Sequence, residues 1–451
     1  MEWNGSRLLF YLPFLFFGCW LVSGLTYSNG SFWRLSSLNY SVPYWKIPET
    51  ERELQQSIQK FLFSVERAPV WEHYSLEQLA ECLYNDVDIV FWTRVLSGVQ
   101  LEKFYSQLMD LYLNSNQCPQ LFVIHVQHGL GNRLRVLASA LAYVQLIPYL
   151  PILIWETDHH MGAKWEDLFE DLPNVVISDL EDAFEKVLKN PSGNYYVIDY
   201  MKMTTQQRYP LPLDYAILQH IYWKSSCVLR VVGSQPHLNR RFHHFLKSQF
   251  SKLIPTQPLK QAILENCPRE PFVAFHIRRR LLHEETFVTN DPQSEYGYIS
   301  ARLIDKYRSM NRVINFCSIA ARLLSLYPFI AMYIAADSQL SYMRWFQCLQ
   351  NKVAVDSRRI FPLSVSNCEN RSRLCIQKAL VDLYCLSRAE VLFGSFWSSF
   401  TEVAHYLNSN DQSLFYLDTN SFFRNGSIKN ETKFHVNVKE KLAYIFSEVA
   451  L

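Results

Sequence analysis

The sequence predicts an α/β protein made of two Rossmann-like domains facing a cleft. Strand-like and helix-like patterns alternate from about residue 121 onward. The alternation runs through two successive arrays with no internal repeat. One apolar strand, residues 271–275, PFVAF, passes directly into His276, Ile277 and three arginines, Arg278, Arg279 and Arg280. Loops after the carboxyl ends of strands in open α/β sheets face the ligand crevice, and guanidinium forks match phosphate oxygens. The arginine loop is therefore read as a diphosphate clamp.

A chain of 451 residues with 49% hydrophobic content can bury a large core and accommodates two or three domains. A formal net charge of +2 gives no general reason to expect a nucleic-acid partner. Residues 8–26, LLFYLPFLFFGCWLVSGLT, carry no charge and are long enough for one helical span. The expectation is an uncleaved membrane anchor, with a cleaved signal peptide ending near Val22 and Gly24 as the alternative. Sequons at Asn29, Asn39, Asn370, Asn425 and Asn430 all follow this segment, as a secretory lumen requires. Of the ten cysteines, Cys19 lies in the apolar segment. Some of the other nine should pair in an oxidising lumen, and Cys368 with Cys375 would close a short loop. No cysteine or histidine spacing suggests zinc.

Domain limits follow from these patterns: 1–27 anchor, 28–115 stem and helical region, 116–265 first Rossmann-like domain, 266–451 second. In the first domain strands are expected at 121–126, 152–155, 174–178, 195–200 and 227–232. Helices are expected at 132–145, 165–170, 179–188 and 240–253. In the second, strands at 272–277, 329–335, 353–355, 391–393 and 414–417 alternate with helices at 313–326, 339–349, 376–386 and 399–407.

Two further motifs stand at strand ends. In HGLGNRLRVLASA, residues 128–140, Gly129 and Gly131 let the backbone approach a ligand while Asn132 caps the following helix. In FGSFWSSFTEVAHYL, residues 393–407, Ser399 and Glu402 have capping-box spacing, and Ser398 and Ser399 open the positive end of a helix. Asp337, in YIAADSQ, and Asp382, in ALVDLYCLSRAEVLF, are placed to accept hydrogen bonds from ribose hydroxyls or the N–H edge of guanine. A helix cap for the first and a solvent-facing acid for the second are the plain alternatives.

GLGNRL, then FHIRR, then DLYCLSRAEVLFGSFWSSFTEVA, in this order and at these separations, resemble the GDP-fucose-dependent fucosyltransferases over roughly residues 121–417. The resemblance implies a GT-B fold, GDP-fucose as donor held mainly by the second domain, and inverting transfer without a required metal or other cofactor. It implies a glycan or glycoprotein acceptor. By the same resemblance His276, Arg278 and Arg279 form the arginine element on the diphosphate, Asp382 meets guanine, and Ser395, Ser398 and Ser399 form the serine motif. Gly129, Gly131, Asn132 and Arg133 lie beside the donor, with Arg278 and Asn132 at the reacting centre. Arg280, where many relatives have a small residue and Asp, and Trp397, which interrupts the serine run, depart from the family pattern. With the anchor, the expected setting is a single-pass type II protein of the Golgi membrane, or a protein of the ER lumen or secreted if the anchor is cleaved.

The acceptor hydroxyl needs a general base. Glu284, Glu285 and Asp291 after the arginines, and Asp158 and His159 in WETDHHMGAKW, are the candidates, none singled out by spacing. A different reading is a metal-dependent GT-A-type glycosyltransferase with Asp86 and Asp88 as a manganese site, although no long apolar strand precedes them. A third is a non-catalytic glycan-binding membrane protein on the same scaffold, served by the 15% aromatic content.

Overall fold

The computed structural model describes residues 86–416, apart from 97, 116, 190–194, 204–206, 215, 216, 218, 285–297, 363–367, 369 and 409–411, together with 423, 424, 427 and 428. The expected anchor, the stem and helical pattern up to residue 85, every sequon except Asn370, and the candidate bases Glu285 and Asp291 lie outside the described residues. Among those described, no helix is long and apolar enough to cross a membrane.

Two helices come first, α1 (Val87–Val95) and α2 (Gly98–Ser115). The chain then alternates through β1 (Gln120–Val126), α3 (Leu130–Val144), β2 (Tyr149–Ile154), β3 (Val176–Ser178), α4 (Ala183–Leu188) and β4 (Tyr195–Asp199). A two-residue β5 (Leu211–Pro212) precedes β6 (His220–Ser225), and a two-residue β7 (Val231–Val232) follows it. Strands β3-β2-β1-β6-β4, in that spatial order, form a sheet in which every pair is parallel. Parallel strands covered on both faces need near-continuous apolar runs, and all six residues of β2 are buried.

The strand expected at 227–232 is displaced. The sheet instead uses residues 220–225, where Tyr222 and Trp223 are fully buried and only the two-residue β7 remains downstream. His220 starts that strand by accepting the Leu121 amide at Nδ1. The polar His220 and Lys224 hid the run from a reading of hydrophobic pattern.

Next come α5 (Pro236–Phe250), α6 (Gln257–Asn266), β8 (Phe272–Ile277), α7 (Tyr298–Met310), α8 (Val313–Leu326), β9 (Ala331–Ala336), α9 (Gln339–Gln350) and β10 (Ile360–Phe361). They are followed by α10 (Arg373–Arg388), β11 (Val391–Gly394), α11 (Ser399–Leu407) and β12 (Ser413–Tyr416). The second sheet, β10-β9-β8-β11-β12, is again parallel throughout. Residues 353–355 form no strand, and β10 takes the edge position five residues later. Neither α6 nor α7 was expected from the sequence.

The α/β class with two parallel sheets is thus as the sequence predicts. One apolar core joins the sheets, with Phe122 and Ile124 of β1 in the same cluster as Phe272 and Ala274 of β8. The helices between them fit closely, as the stacked rings of Phe250 and Tyr406 show at 5.2 Å. α6 packs on α10 and is tied to it by Cys267–Cys385. Cys317–Cys348 joins α8 to α9, and Cys368–Cys375 forms the short loop foreseen from the sequence. Cys227 is buried and lies outside these disulfides.

Candidate active site

Strand order reverses between β8 and β11. From β8 the chain moves to β9 and β10 on one side, and from β11 to β12 on the other. Crossovers leave a crevice at such a switch point, beyond the carboxyl ends of the two strands. The arginine loop follows β8 there and the serine loop follows β11, so two motifs more than a hundred residues apart become neighbours.

Ser395 joins them. Its hydroxyl donates to the His276 carbonyl at 2.8 Å and accepts the Arg278 amide at 2.7 Å, with the side chain fully buried. Its hydroxyl is committed to the protein, so it locks one loop to the other. Asp337 shapes the arginine loop from the other side. Its Oδ2 accepts the amides of Arg279 at 2.8 Å and Arg280 at 2.6 Å and lies 3.5 Å from Arg278 Nη1. The helix cap is supplied by the next residue, Ser338, and the cap reading of Asp337 is corrected accordingly. Asp337 Oδ1 is buried without a hydrogen-bond partner among the described residues. The three arginines are half-buried, and the Arg279 guanidinium has no partner among the described residues.

At the start of α11 the expected capping box is absent. Ser398 is the N-cap without a side-chain cap bond, and Glu402 turns away to pair with Arg135 at 3.2 Å. Burial raises the Glu402 pKa, against the neighbouring Arg135 charge. The hydroxyls of Ser398 and Ser399 are left without protein partners among the described residues, next to unsatisfied amides at a helix N-terminus.

His276 sits beneath this edge. Nδ1 is 2.6 Å from the Thr401 hydroxyl, and burial, then the Arg278 charge, pushes its pKa down to about 3. A neutral imidazole there braces α11 against β8. On the same face of the sheet, Asp382 accepts the Tyr333 hydroxyl at 2.6 Å through Oδ1, and burial pushes its pKa up to about 6, against that hydrogen bond. Its other oxygen has no partner among the described residues, and the side chain is half-buried rather than solvent-facing.

The first sheet presents its own switch point, between β1 and β6. Here the helix reading needs correction. α3 is capped at Gly129, and Asn132 is its third residue, so it cannot be the cap. Gly131 is needed for packing: a Cβ there would lie 2.9 Å from the Phe400 amide nitrogen and 3.0 Å from the carbonyl carbon of Ser399. The close approach is made by α11, and the two helix starts meet. The Asn132 side-chain amide has no hydrogen-bond partner among the described residues and is half-buried.

Arg133 is turned inward. Fully buried, it donates to the His128 carbonyl at 2.7 Å, the Glu156 carbonyl at 2.6 Å and Asp158 Oδ2 at 2.7 Å, and packs over Trp155. Its fork is filled by protein acceptors, which leaves it supporting the wall of the cleft rather than reaching a ligand. The other Asp158 oxygen accepts the His160 amide. Beside it His128, at φ +63°, lies 3.3 Å from His160, and burial, then His160 and Arg133, lowers its pKa to about 3. Nearby, His125 bridges the Tyr222 hydroxyl at 2.7 Å and Glu156 at 3.1 Å. Among the other base candidates Glu284 accepts the Leu281 amide, and His159 is exposed.

Asp86 and Asp88 lie elsewhere. Asp86 caps α1 through the amides of Asp88 and Ile89 and accepts His220 Nε2 at 2.9 Å. Burial raises its pKa, but the His220 hydrogen bond and charge and the two amides outweigh that and leave it lowered. Asp86, Asp88 and His220 offer atoms within 4.8 Å of one another. They stand where β6 begins, about 16–17 Å of strand from the cleft end at Ser225.

Asn311 was not singled out by the sequence. Fully buried just after α7, it donates Nδ2 to the carbonyls of Arg278 at 2.9 Å and Phe396 at 3.2 Å and accepts the Phe396 amide at 2.9 Å. Each bond goes to a main chain far away in sequence, which leaves no local signal.

No protein-family model and no curated protein sequence matches the chain. Among solved structures, it is similar to POFUT1 in complex with GDP-fucose, with TM-score 0.38, 11% identity, and 66% of this chain and 97% of that one covered. It is also similar to the NodZ α-1,6-fucosyltransferase soaked with GDP-fucose, with TM-score 0.37, 13% identity, and 64% and 92% covered. For the selenomethionine form of fucosyltransferase NodZ from Bradyrhizobium the TM-score is 0.39, with 13% identity and the same coverage, 64% and 92%.

Proposed function

We propose that the protein is an inverting glycosyltransferase that moves fucose from GDP-fucose to a hydroxyl of a glycan or glycoprotein in the secretory pathway, as a Golgi membrane protein held by residues 8–26. One observation carries this reading: the arginine and serine motifs, separate in sequence, lie side by side at the switch point of the second sheet. The charge fits the chemistry. As the bond from fucose C1 to the β-phosphate oxygen breaks, its electron pair leaves with GDP, while the acceptor oxygen bonds C1 from the opposite face and gives its proton to a base. Arg278, Arg279 and the first amides of α11 face the growing negative charge, and fixed donors stabilise that charge more than the ground state. Asp382, on the same sheet face, is the acceptor for guanine N–H groups. Asn132 of α3, its side-chain amide without a partner among the described residues, is assigned the contact with the reacting centre from the first-sheet side.

The arginines do work that a divalent ion does elsewhere, and the Asp86–Asp88–His220 group is too distant to share it. The test is calorimetry with GDP and UDP, followed by transfer from GDP-fucose to a glycan array in EDTA. GDP preferred over UDP and product formed in EDTA are expected. UDP preferred, or activity restored only by manganese, overturns the reading.

A further inference from the structure

Both loops of the donor site hang from one element that the sequence did not reveal. At the end of α7, Asp305 accepts the Leu282 amide at 2.8 Å, Arg308 donates to the Arg280 carbonyl at 3.0 Å, and Tyr307 stacks at 4.4 Å on Trp397. Trp397 itself is held at φ +59° between the serine loop and α11. A bulky residue in that left-handed region persists only where its surroundings over-determine it. Asn311 completes the set with three hydrogen bonds, one to the arginine loop and two to Phe396 in the serine loop.

We infer that Asn311 is a positioning residue for the donor diphosphate, fixing the spacing between the Arg278 loop and the start of α11 from behind. This rests on the reading of the site as a GDP-sugar site. The chemistry requires an amide, because two carbonyls need a donor and one N–H needs an acceptor, all in a fully buried place. Aspartate keeps the acceptor but turns a carboxylate toward two carbonyls. Alanine leaves three main-chain groups unpaired. Either change lets the loops separate while the arginines and serines remain intact.

The experiment compares full-length wild type, Asn311→Asp, Asn311→Ala and the control Asn315→Ala. Asn315 is also buried, one turn later, and its side-chain nitrogen makes no hydrogen bond among the described residues. GDP titrations, donor KM and hydrogen–deuterium exchange are measured well below each melting temperature. Expected are GDP affinity and donor KM worse by roughly 30-fold in both Asn311 variants. Arg279 and Phe396 amides should exchange faster together, and Asn315→Ala should stay within about threefold of wild type. Folded Asn311 variants that bind GDP within about threefold of wild type overturn the inference. If wild type does not bind GDP, the donor reading fails, and exchange still decides whether Asn311 holds the two loops together: paired loss of protection supports it, and unchanged protection of both loops overturns it. Should Asn311→Ala not fold, Asn311→Asp carries the same comparison.

Discussion

The cleft edges of the two sheets carry similar residues and use them in opposite ways. On the first sheet Arg133, Asp158, Glu156 and His125 satisfy one another and the main chain around them. On the second sheet, Asp337, Ser395 and Asn311 spend their bonds on main chain. Their work leaves the Arg279 guanidinium and the Ser398 and Ser399 hydroxyls uncommitted among the described residues. An arginine beside a cleft is therefore no guide to function until its partners are counted. The first edge is a braced wall, and the second is a set of donors held from behind.

The largest expected effect breaks the wall. Arg133→Met removes a buried cation and strips Asp158 Oδ2 and two carbonyls of their donor, a loss of about 3–5 kcal/mol. Thermal denaturation should show a fall of roughly 10 °C, while GDP affinity of the folded fraction stays within about threefold. A stable variant that has lost GDP would move the donor site to the first sheet.

Smaller, but confined to chemistry, is Arg278→Lys. A point charge cannot reproduce a planar fork, so turnover at saturating donor should fall about a hundredfold, equivalent to roughly 2–4 kcal/mol, with melting temperature unchanged. Arg280→Lys should lose less than about tenfold, since the main chain of Arg280 already anchors the loop through Asp337 and Arg308.

The second edge was partly legible in the sequence, and the wall of the first was not. Apolar runs gave β8, β9 and α8, and the spacing of motifs brought Arg278 and Ser398 to one edge. What stayed hidden depends on partners distant along the chain. Arg133 sits inside a glycine motif that reads as a ligand site, but its acceptor Asp158 is 25 residues away. Asn311 bonds to Arg278 and Phe396, 33 and 85 residues away. Glu402 has capping-box spacing, yet Arg135 draws it across the gap between the helices. Local rules could not rank those competitors.

A proton adds a finer test of the second edge. With its pKa near 6, Asp382 is mostly protonated at about pH 5 and ionised at about pH 7, so GDP affinity should rise about tenfold over that interval. Tyr333→Phe removes the hydrogen bond that favours the anion and should move the midpoint upward. The stability effect has the opposite sign. Because the folded carboxyl holds its proton to higher pH than the unfolded one, native stability declines as pH rises from about 4 to about 6 and then levels off. A flat GDP profile would separate Asp382 from the base.

The two edges differ most directly in which of them grips the diphosphate. The measurement is a calorimetric titration of GDP and of guanosine into wild type and into Arg278→Lys/Arg279→Lys, in EDTA. Wild type should bind GDP at least about a hundredfold more tightly than guanosine, the difference being the phosphate contacts. The double variant should lose most of that difference while binding guanosine unchanged. A folded double variant that retains the full preference for GDP would contradict the account.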